Sequence, residues 1–383
     1  MKTTVRSGSH LPVASATSKK NAELADSLAG LRARIDELSL EILRLLSERA
    51  RVAQEIGDLK RGEGAQIYQP ARERAVLDKL AANNRGPLTN QHIERIFTEI
   101  MSACRALEHE MRVAYLGPEH TYSHQAALSR FGSSATLIAE NSIPAVFQAM
   151  ENGRSELGVV PVENSTEGSV TMTLDLLIDS PLLIVGEIMV PIRHALLSLS
   201  GNRDEIRKIY SHQQSLGQCR NYLAANFPRC EQEALASNAL AAKRAAEEPS
   251  AAAIASVEAG AAYGLKVVAE SIQDSAQNAT RFLVLGKHPV ARSGADKTTV
   301  LFAVADKVGA LNEALNFFAR NRINMSKIES RPMRSRPWEY LFFADLEGHC
   351  EDPGLKRALA ALKRKTLFSK VLGSYPEARG AGA

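Results

Sequence analysis

The sequence predicts a multidomain fold in which an all-α segment precedes an α/β segment and a smaller α+β unit. Three observations predict it. Apolar residues recur at alternating steps of four and three between positions 24 and 59. Short apolar runs alternate with helical stretches between about 113 and 288, and a βαββαβ order follows from about 297 to 376. A chain of 383 residues can build two or three separate cores.

The charge of the chain is concentrated at its start. The net charge is +4, and the first 20 residues account for all of it with Lys2, Arg6, Lys19 and Lys20 and no acidic residue. The remaining body is balanced, which argues against a nucleic-acid-binding surface. This start lacks the apolar middle of a secretory signal, so residues 1–21 are predicted to be a disordered basic leader. No apolar run approaches the roughly 18 residues of a membrane span.

The cysteines and glycines do not indicate a metal or a cofactor. The four cysteines, Cys104, Cys219, Cys230 and Cys350, lack metal-ligand spacing and are interpreted as reduced thiols of a cytoplasmic protein. The sequence contains no glycine-rich phosphate loop and no cluster of His and Cys residues.

The first segment predicts a long helix with an apolar seam. The span from Leu31 to Lys60 would be on the order of 45 Å long at about 1.5 Å per residue, so a partner helix from a homodimer is expected. Arg49 interrupts the seam. A guanidinium there needs an anion, either a glutamate in a buried pair or an anionic ligand inside the bundle.

Two further helices complete the segment. One opens at Ile67–Arg74, and the other runs from about Asn90 to Glu108. Residues 22–110 with their arginine-lined interior resemble the all-helical chorismate mutase domain. In that family two protomers interlock and each site takes an arginine from the partner. The resemblance implies site residues at Arg32 (from the partner), Arg49, Lys60, Arg72, Glu73 and Glu108.

The resemblance also implies roles for these residues. The arginines would hold the two carboxylates of chorismate, Lys60 and Glu108 would face the breaking ether oxygen, and Glu73 would contact the substrate hydroxyl. Some family members carry Gln where this chain has Glu108. A glutamate donates a hydrogen bond only when protonated, so mutase activity is predicted to fall as pH rises through neutrality, and Glu108→Gln should flatten that profile.

The central segment predicts an α/β domain with short strands. Strands are predicted at Val113–Leu116, Leu157–Val162, Leu182–Met189, Ala253–Ser256 and Phe282–Gly286. In Gly158–Val170 an apolar run ends in six polar or small residues, Glu163 to Gly168. This pattern is typical of a buried strand that delivers a polar loop to a cleft. A plain strand-to-helix turn capped by Asn164, Ser165 and Thr166 is the alternative.

Three blocks of this segment, in order, resemble the prephenate dehydratase domain over residues 112–289. They are the Val162-Glu163-Asn164-Ser165 string, Tyr210–Cys219, and Ile272–Phe282 with its Thr280-Arg281-Phe282 triplet. The resemblance implies two lobes with the site in the cleft, similar to periplasmic binding proteins. The family usually has Gly-Thr-Phe where this chain has His120-Thr121-Tyr122, so His120 and Tyr122 are departures from the motif.

The resemblance implies the dehydratase site residues as well. Thr280 would face the leaving hydroxyl of prephenate and Arg281 would pair with a carboxylate. Neutral hydrogen bonds would come from Asn164, Ser165, Ser211, Gln214 and Gln218, and from Ser123. Glu163 and His212 would orient groups or transfer protons. The alternatives are a core histidine at His212, a capping acid at Glu163 and a structural salt bridge at Arg281.

The last segment, residues 297–376, predicts a ferredoxin-like unit. Within it Val308–Asn312 and Lys327–Pro332 resemble the two effector motifs of the ACT regulatory domain. The resemblance implies that paired domains bind phenylalanine at Gly309, Ala310, Leu311, Asn312, Glu329, Ser330 and Arg331 and inhibit the dehydratase. A plain oligomerisation module is the alternative. Trp338, the single tryptophan, would report on binding.

Together these resemblances imply a bifunctional enzyme of phenylalanine biosynthesis. It would convert chorismate to prephenate and prephenate to phenylpyruvate, with phenylalanine as feedback inhibitor. Homodimers or higher homo-oligomers are expected, with no nucleic-acid or membrane partner. The alternative is a dehydratase that acts on arogenate as well as prephenate, with a weak or silent mutase domain. A non-catalytic amino-acid sensor is a third hypothesis, which the arginine in the helix seam disfavours.

Overall fold

The structure, a computed structural model, describes residues 14–63, 68–333 and 340–378, without the side chains of residues 14–26 and 60–63. It divides into two units, Met1–Glu63 and Gly64–Ala383. The first unit contains helix α1 (Ala14–Glu63). This helix begins within the leader predicted to be disordered, and residues 1–13 lie outside the described residues. The apolar residues of its seam, among them Leu31, Leu38, Leu45 and Val52, are exposed.

The second unit begins with two helices, α2 (Pro70–Asn83) and α3 (Asn90–Glu108). Pro70 starts α2, where its missing N–H is no loss. The Thr89 side chain caps α3 by accepting a hydrogen bond from the His92 N–H. Among the helices that the structure describes, none is both long and apolar enough to cross a membrane.

The first lobe of the α/β domain is built on a mixed sheet. Its elements are β1 (Arg112–Leu116), α4 (Tyr122–Phe131), β2 (Thr136–Glu140), α5 (Ile143–Glu151), β3 (Leu157–Asn164), β4 (Gly168–Ser169), α6 (Thr171–Asp179) and β5 (Leu183–Pro191). The strand order is β2-β1-β3-β11-β5, where β11 (Ala279–Gly286) returns late in the chain and β4 pairs with β3. The strands bury near-continuous apolar runs such as Val159 and Val160.

The second lobe is a smaller five-stranded sheet in the order β10-β6-β9-β7-β8. Its elements are β6 (Ala195–Ser198), a 3₁₀ turn (Arg203–Glu205), β7 (Lys208–His212), α7 (Gln213–Gln218), α8 (Arg220–Asn226), β8 (Glu231–Leu235), α9 (Asn238–Ala246), β9 (Ala251–Ala255), α10 (Val257–Ala262) and β10 (Lys266–Ala269). The chain enters this lobe after β5 and leaves it for β11. The predicted two-lobed α/β fold is confirmed.

The C-terminal unit has the predicted ferredoxin-like order. Its elements are β12 (Asp296–Ala303), α11 (Ala310–Arg320), β13 (Met325–Pro332), β14 (Tyr340–Glu347), α12 (Pro353–Lys365) and β15 (Phe368–Pro376), in the sheet order β13-β14-β12-β15. Phe302, Phe318 and Leu355 lie in its core. Trp338 lies outside the described residues.

The C-terminal sheet packs closely on the first lobe. A Cβ atom added to Gly373 of β15 would lie 2.0 Å from the carbonyl oxygen of Ile184 in β5, so glycine alone allows this approach. Behind this contact, Glu187 of β5 accepts hydrogen bonds from Lys297 of β12 at 2.9 Å and 3.2 Å. The packing places the C-terminal sheet against the strand that neighbours β11.

Candidate active site

A cavity of about 630 Å³ lies between the two lobes of the α/β domain. That volume is in the range of small-ligand sites. Its lining combines the loop after β1 and the last residues of β3 and β7 with residues from β11 and from the starts of α4, α7 and α9. Five predicted site residues line it, Asn164, His212, Gln214, Gln218 and Thr280, and Ser123 lines it too.

Asn164 and Thr280 form a hydrogen-bonded pair at the floor of this cavity. They are register partners in the antiparallel strands β3 and β11. The Asn164 Oδ1 accepts hydrogen bonds from the backbone N–H groups of Thr166 (3.0 Å) and Glu167 (3.1 Å). Because those groups can only donate, the Asn164 Nδ2 must be the atom that donates to the Thr280 Oγ1 at 2.9 Å. The Thr280 hydroxyl therefore accepts from Asn164 and keeps its own proton for another acceptor.

The donors and acceptors in the hydrogen bonds beyond this pair can be assigned in the same way. The Asn164 Nδ2 also donates to the Asn278 Oδ1 at 2.9 Å, so the Asn278 Nδ2 donates to the Gln218 Oε1 at 3.0 Å. His194 Nε2 lies 2.9 Å from that oxygen and must carry the proton. Burial lowers the pKa of His194, against the opposing effect of the Gln218 hydrogen bond. The Gln218 Oε1 thus accepts from both His194 and Asn278, and this network fixes the Asn164 amide so that it donates to Thr280.

The second lobe contributes the opposite wall. His212 ends β7 and caps α7, since its Nδ1 accepts from the Gln214 N–H at 3.4 Å. Asn238, the first residue of α9, accepts from the His212 N–H at 2.9 Å and from the buried Ser211 hydroxyl at 3.0 Å. Ser211 is thus held behind this wall and does not line the cavity, whereas the nearby His212 and Gln214 do.

The electrostatic character of the cavity suits an anion. The N-cap residues of α4 (Thr121) and α9 (Ser237) both line it, so the positive ends of two helix dipoles point toward it. Among the described residues that line the cavity there is no Arg or Lys, and Glu140 is the acidic one. Neutral donors, helix ends and histidines are therefore the groups that an anion would meet.

Arg281 does not take its predicted position at the cavity. Neighbouring residues of a strand face opposite sides of the sheet, so Arg281 points away from the side that carries Thr280. Its guanidinium donates to Glu187 (2.7 Å), Asp345 (2.5 Å) and the Tyr375 hydroxyl (3.0 Å). Burial alone would lower the pKa of Arg281, but Tyr375, Asp345 and Glu187 outweigh this effect and raise the pKa above its ordinary value. The structural salt bridge, the alternative to a carboxylate ligand, fits these contacts.

Glu163 and Ser165, two further predicted site residues, do not line the cavity. Glu163 lies on the same sheet face as Arg281 and pairs with Lys327 of β13 at 2.9 Å. The Ser165 hydroxyl donates to the Gln277 carbonyl (3.1 Å) and accepts from the Ala279 N–H (3.0 Å), which ties the end of β3 to the start of β11. Both residues flank Asn164 and hold its strand in place.

The second predicted effector motif lies on strand β13, whose side chains alternate between two faces. Glu329 accepts from the Ser169 hydroxyl at 3.0 Å, and Arg331 donates to Asp175 at 2.9 Å. Together with Lys327 they contact the first lobe, whereas Ser330 is exposed on the opposite face. In the first motif Gly309 has a φ of +80°, which suits glycine, and caps α11; Ala310, Leu311 and Asn312 form its first turn.

The predicted mutase residues lie on three helices. On α1, Arg32 is exposed and Arg49 is partly exposed, while the side chain of Lys60 lies outside the described residues. On α2, Arg72 is exposed, and Glu108 ends α3.

Glu73, which was predicted to contact the substrate hydroxyl, has ionic partners within the protein. Its carboxylate pairs with Arg105 of α3 and lies 3.7 Å from Arg130 of α4. These contacts fit a structural role for Glu73 between the helices.

Sequence reasoning gave no role to two residues that organise the site. Asn278 stands two positions before Thr280, and that period-two spacing to a residue facing the cavity was the available signal. Asn238 follows the N-cap Ser237, and nothing in the sequence separates it from an ordinary first residue of a helix.

Three family models match successive parts of the chain. They describe chorismate mutase type II (residues 31–109), prephenate dehydratase (residues 113–290) and the ACT domain (residues 298–364). The four cysteines are free thiols.

Similar proteins cover nearly the whole chain. The bifunctional chorismate mutase/prephenate dehydratase of Aquifex aeolicus (strain VF5) is 45% identical over 357 residues, 92% of this chain and 99% of that protein. The protein of the same name from Stutzerimonas stutzeri is 47% identical over 360 residues, with the same two coverages. The structure of prephenate dehydratase from Arthrobacter aurescens in complex with L-Phe has a TM-score of 0.65 and 34% identity, and covers 70% of this chain and 90% of that one. The chain therefore belongs to the family of bifunctional chorismate mutase/prephenate dehydratases, enzymes that carry both activities in one polypeptide.

Proposed function

We propose that the cavity between the two lobes is where prephenate becomes phenylpyruvate. In this reaction the ring carboxylate leaves as carbon dioxide and its bonding electron pair restores aromaticity. The ring hydroxyl leaves with the electron pair of its broken carbon–oxygen bond and takes up one proton to become water. The observation that carries the proposal is the Asn164–Thr280 pair, which presents a hydroxyl proton inside a cavity of suitable size.

The Thr280 hydroxyl is proposed to donate a hydrogen bond to the departing oxygen. Because its own oxygen accepts from Asn164, its proton is directed to another acceptor. Such a preoriented donor stabilises the negative charge that develops on the leaving oxygen more than it stabilises the neutral hydroxyl of bound substrate. Asn278, Gln218 and His194 keep the orientation of Asn164 fixed.

The substrate carboxylates are proposed to bind to neutral donors and to the helix N-termini in the cavity wall. Ser123, Gln214 and Gln218 supply side-chain donors, and the starts of α4 and α9 supply backbone N–H groups and their dipoles. Neutral donors hold an anion without the desolvation cost of a second buried charge. Glu163, Ser165 and Ser211 are proposed as positioning residues for these groups.

The mutase reaction is proposed to use a homodimer. The exposed apolar residues of α1 need a partner, and a second copy of the same helix fits the heptad-like seam. In this proposal the arginines Arg32 (from the partner), Arg49 and Arg72 hold chorismate, and Lys60 and Glu108 face its ether oxygen. The rearrangement forms no covalent bond to the enzyme, so positive charge and positioning are what the helices must provide.

We infer that phenylalanine inhibits the dehydratase through the ACT domain. The ligand in the Arthrobacter aurescens structure and the match to the ACT family model support this inference. The contact through which the domain would act is the 2.9 Å ion pair between Lys327 and Glu163, the residue before Asn164. A shift of β13 on ligand binding would move the strand that carries Asn164. We propose that the enzyme acts in phenylalanine biosynthesis, in the cytoplasm.

Purified full-length protein fed chorismate tests the proposal. Prephenate and phenylpyruvate are followed separately, with and without phenylalanine. We expect phenylpyruvate from chorismate alone, with dehydration suppressed by phenylalanine while the mutase continues. Phenylpyruvate formation that does not respond to phenylalanine at any concentration would contradict the regulatory part. Arogenate supplied in place of prephenate measures the substrate preference.

A further inference from the structure

His120 stands at the edge of the cavity in a conformation that most side chains avoid. It has a φ of +64° and is one of three non-glycine residues with positive φ in the described ranges, with Ser271 and Arg322. The left-handed region costs an L-residue about 1–2 kcal/mol. Here the backbone N–H of His120 donates to the Nδ1 of His124 at 3.2 Å, which holds the turn. Such strain at a cavity calls for a functional explanation.

The imidazole of His120 is held between the two lobes. It meets the ring of His124 edge-on at 5.7 Å and, also edge-on at 5.7 Å, the ring of Tyr263 at the end of α10. His120 and His124 belong to the first lobe, and Tyr263 belongs to the second. The His120 side chain is 32% exposed and lines the cavity. These contacts place an ionisable ring in the cavity wall between the lobes.

Two acidic residues lie near His120. Glu119 in the same loop is 3.9 Å away, and Glu140 of β2 is the acid in the lining. Burial, and next the charge of His120, lower the pKa of His124. Since the His124 Nδ1 already accepts the His120 N–H, His124 stays neutral beside it.

The other two histidines of the lining are less available to bind a substrate carboxylate. His194 is buried and neutral, with its Nε2 bonded to Gln218. The His212 Nδ1 is occupied in capping α7. Since no Arg or Lys is found among the described lining residues, a substrate with two carboxylates meets one solvent-accessible imidazole that is not committed to a cap or a buried chain.

We propose that His120 is a substrate-binding residue of the dehydratase, whose protonated imidazole pairs with the side-chain carboxylate of prephenate, the one that the reaction retains. The inference rests on the proposal that the cavity is the dehydratase site. A charged hydrogen bond between partly exposed groups strengthens binding without changing the chemical step. His120 therefore adds affinity when its imidazole is protonated and leaves the turnover number unchanged.

Two substitutions test this inference, His120→Gly and His120→Asn, because both residues tolerate a positive φ. Dehydratase KM and kcat for prephenate are measured between pH 6 and pH 9 in the full-length enzyme. At pH 6 we expect KM to rise about three- to tenfold in both variants, as for one charge-assisted contact. Near pH 9 the KM values of variants and wild type should converge, and kcat should be unchanged throughout.

The possible outcomes separate this inference from the assignment of the site. A KM that stays at the wild-type value at pH 6, or that changes by the same factor at every pH, would overturn the role of His120. Thr280→Val is measured in parallel as the test of the cavity. If it lowers kcat while the His120 variants behave as wild type, the cavity assignment survives and the His120 inference falls. If Thr280→Val has no effect, both fall. Mutase turnover of each variant reports whether the chain is folded.

Discussion

The substitution Asn164→Asp tests the orientation of the Thr280 hydroxyl, because it changes one amide nitrogen into a carboxylate oxygen of the same size. The retained oxygen still accepts the backbone N–H groups of Thr166 and Glu167, so the turn after β3 should be kept. The new oxygen faces Thr280, which then donates its proton to the carboxylate. The leaving hydroxyl of the substrate would lose its donor.

The expected loss can be estimated from the structure. Removing one preoriented donor from a developing oxyanion typically lowers kcat by about 10²- to 10³-fold. The carboxylate also faces the Asn278 Oδ1 at the 2.9 Å position of the lost hydrogen bond, and such a mismatch costs about 1–3 kcal/mol of stability. We therefore expect a folded but less stable enzyme with dehydratase kcat reduced about 10²- to 10³-fold.

Steady-state kinetics on prephenate measure the effect, and chorismate turnover by the same preparation serves as the folding control. Thr280→Ser keeps the donor and should stay within about tenfold of wild type. In the double variant with Thr280→Val, the loss should be no larger than that of the more impaired single variant, because both changes remove the same hydrogen bond. A kcat for Asn164→Asp within tenfold of wild type, or losses that multiply in the double variant, would refute the reasoning.

Three further predictions concern the ACT contact, the buried ion network and the buried histidines. Lys327→Met removes the ion pair with Glu163; we expect the phenylalanine concentration for half-inhibition to rise at least about fivefold, and an unchanged inhibition curve would contradict the proposed route. Arg281→Met leaves Glu187 and Asp345 without the guanidinium and should lower the free energy of unfolding by about 3–5 kcal/mol, measured by urea inactivation of the dehydratase. The control Arg292→Met removes the exposed pair with Asp352 and should lower it by less than about 1 kcal/mol. Equal urea midpoints for the two variants would refute this. Burial lowers the pKa of His194 from its ordinary value of 6.5, so the unfolded chain binds a proton at this residue more readily than the folded chain. The stability that comes from the neutral folded-state His194 is complete above pH 6.5 and is lost as pH falls below it. His194→Gln should therefore reduce the drop in urea midpoint between pH 7.5 and pH 5.5.

The sequence predicted the site best where a motif and an alternation agree. Asn164 and Thr280 were identified from their strings, and the structure pairs them across β3 and β11. Arg281 and Glu163 come from the same strings but face the other side of the sheet. Adjacent residues of a strand diverge in this way. The predicted strand began at Phe282, whereas the observed strand begins at Ala279, so the alternation between Thr280 and Arg281 could not be read from the sequence prediction.

Other features depend on tertiary contacts that no local pattern encodes. The order of strands and helices in the C-terminal unit follows from periodicity, and its sheet was predicted correctly. The alternation in β13 shows that Lys327, Glu329 and Arg331 share a face. It does not reveal that this face meets Glu163, Ser169 and Asp175 of the first lobe. Asn238 was missed for the same reason, since its partners come from β7 and α7.

The most direct test of the central claim, that Thr280 in the cavity supports dehydration, is to feed chorismate to full-length Thr280→Val and to quantify both products. The mutase in the same chain supplies prephenate and shows that the protein is folded. We expect prephenate to accumulate at the wild-type rate of chorismate consumption, with phenylpyruvate formation reduced about 10²-fold or more. Phenylpyruvate appearing at the wild-type rate would contradict it.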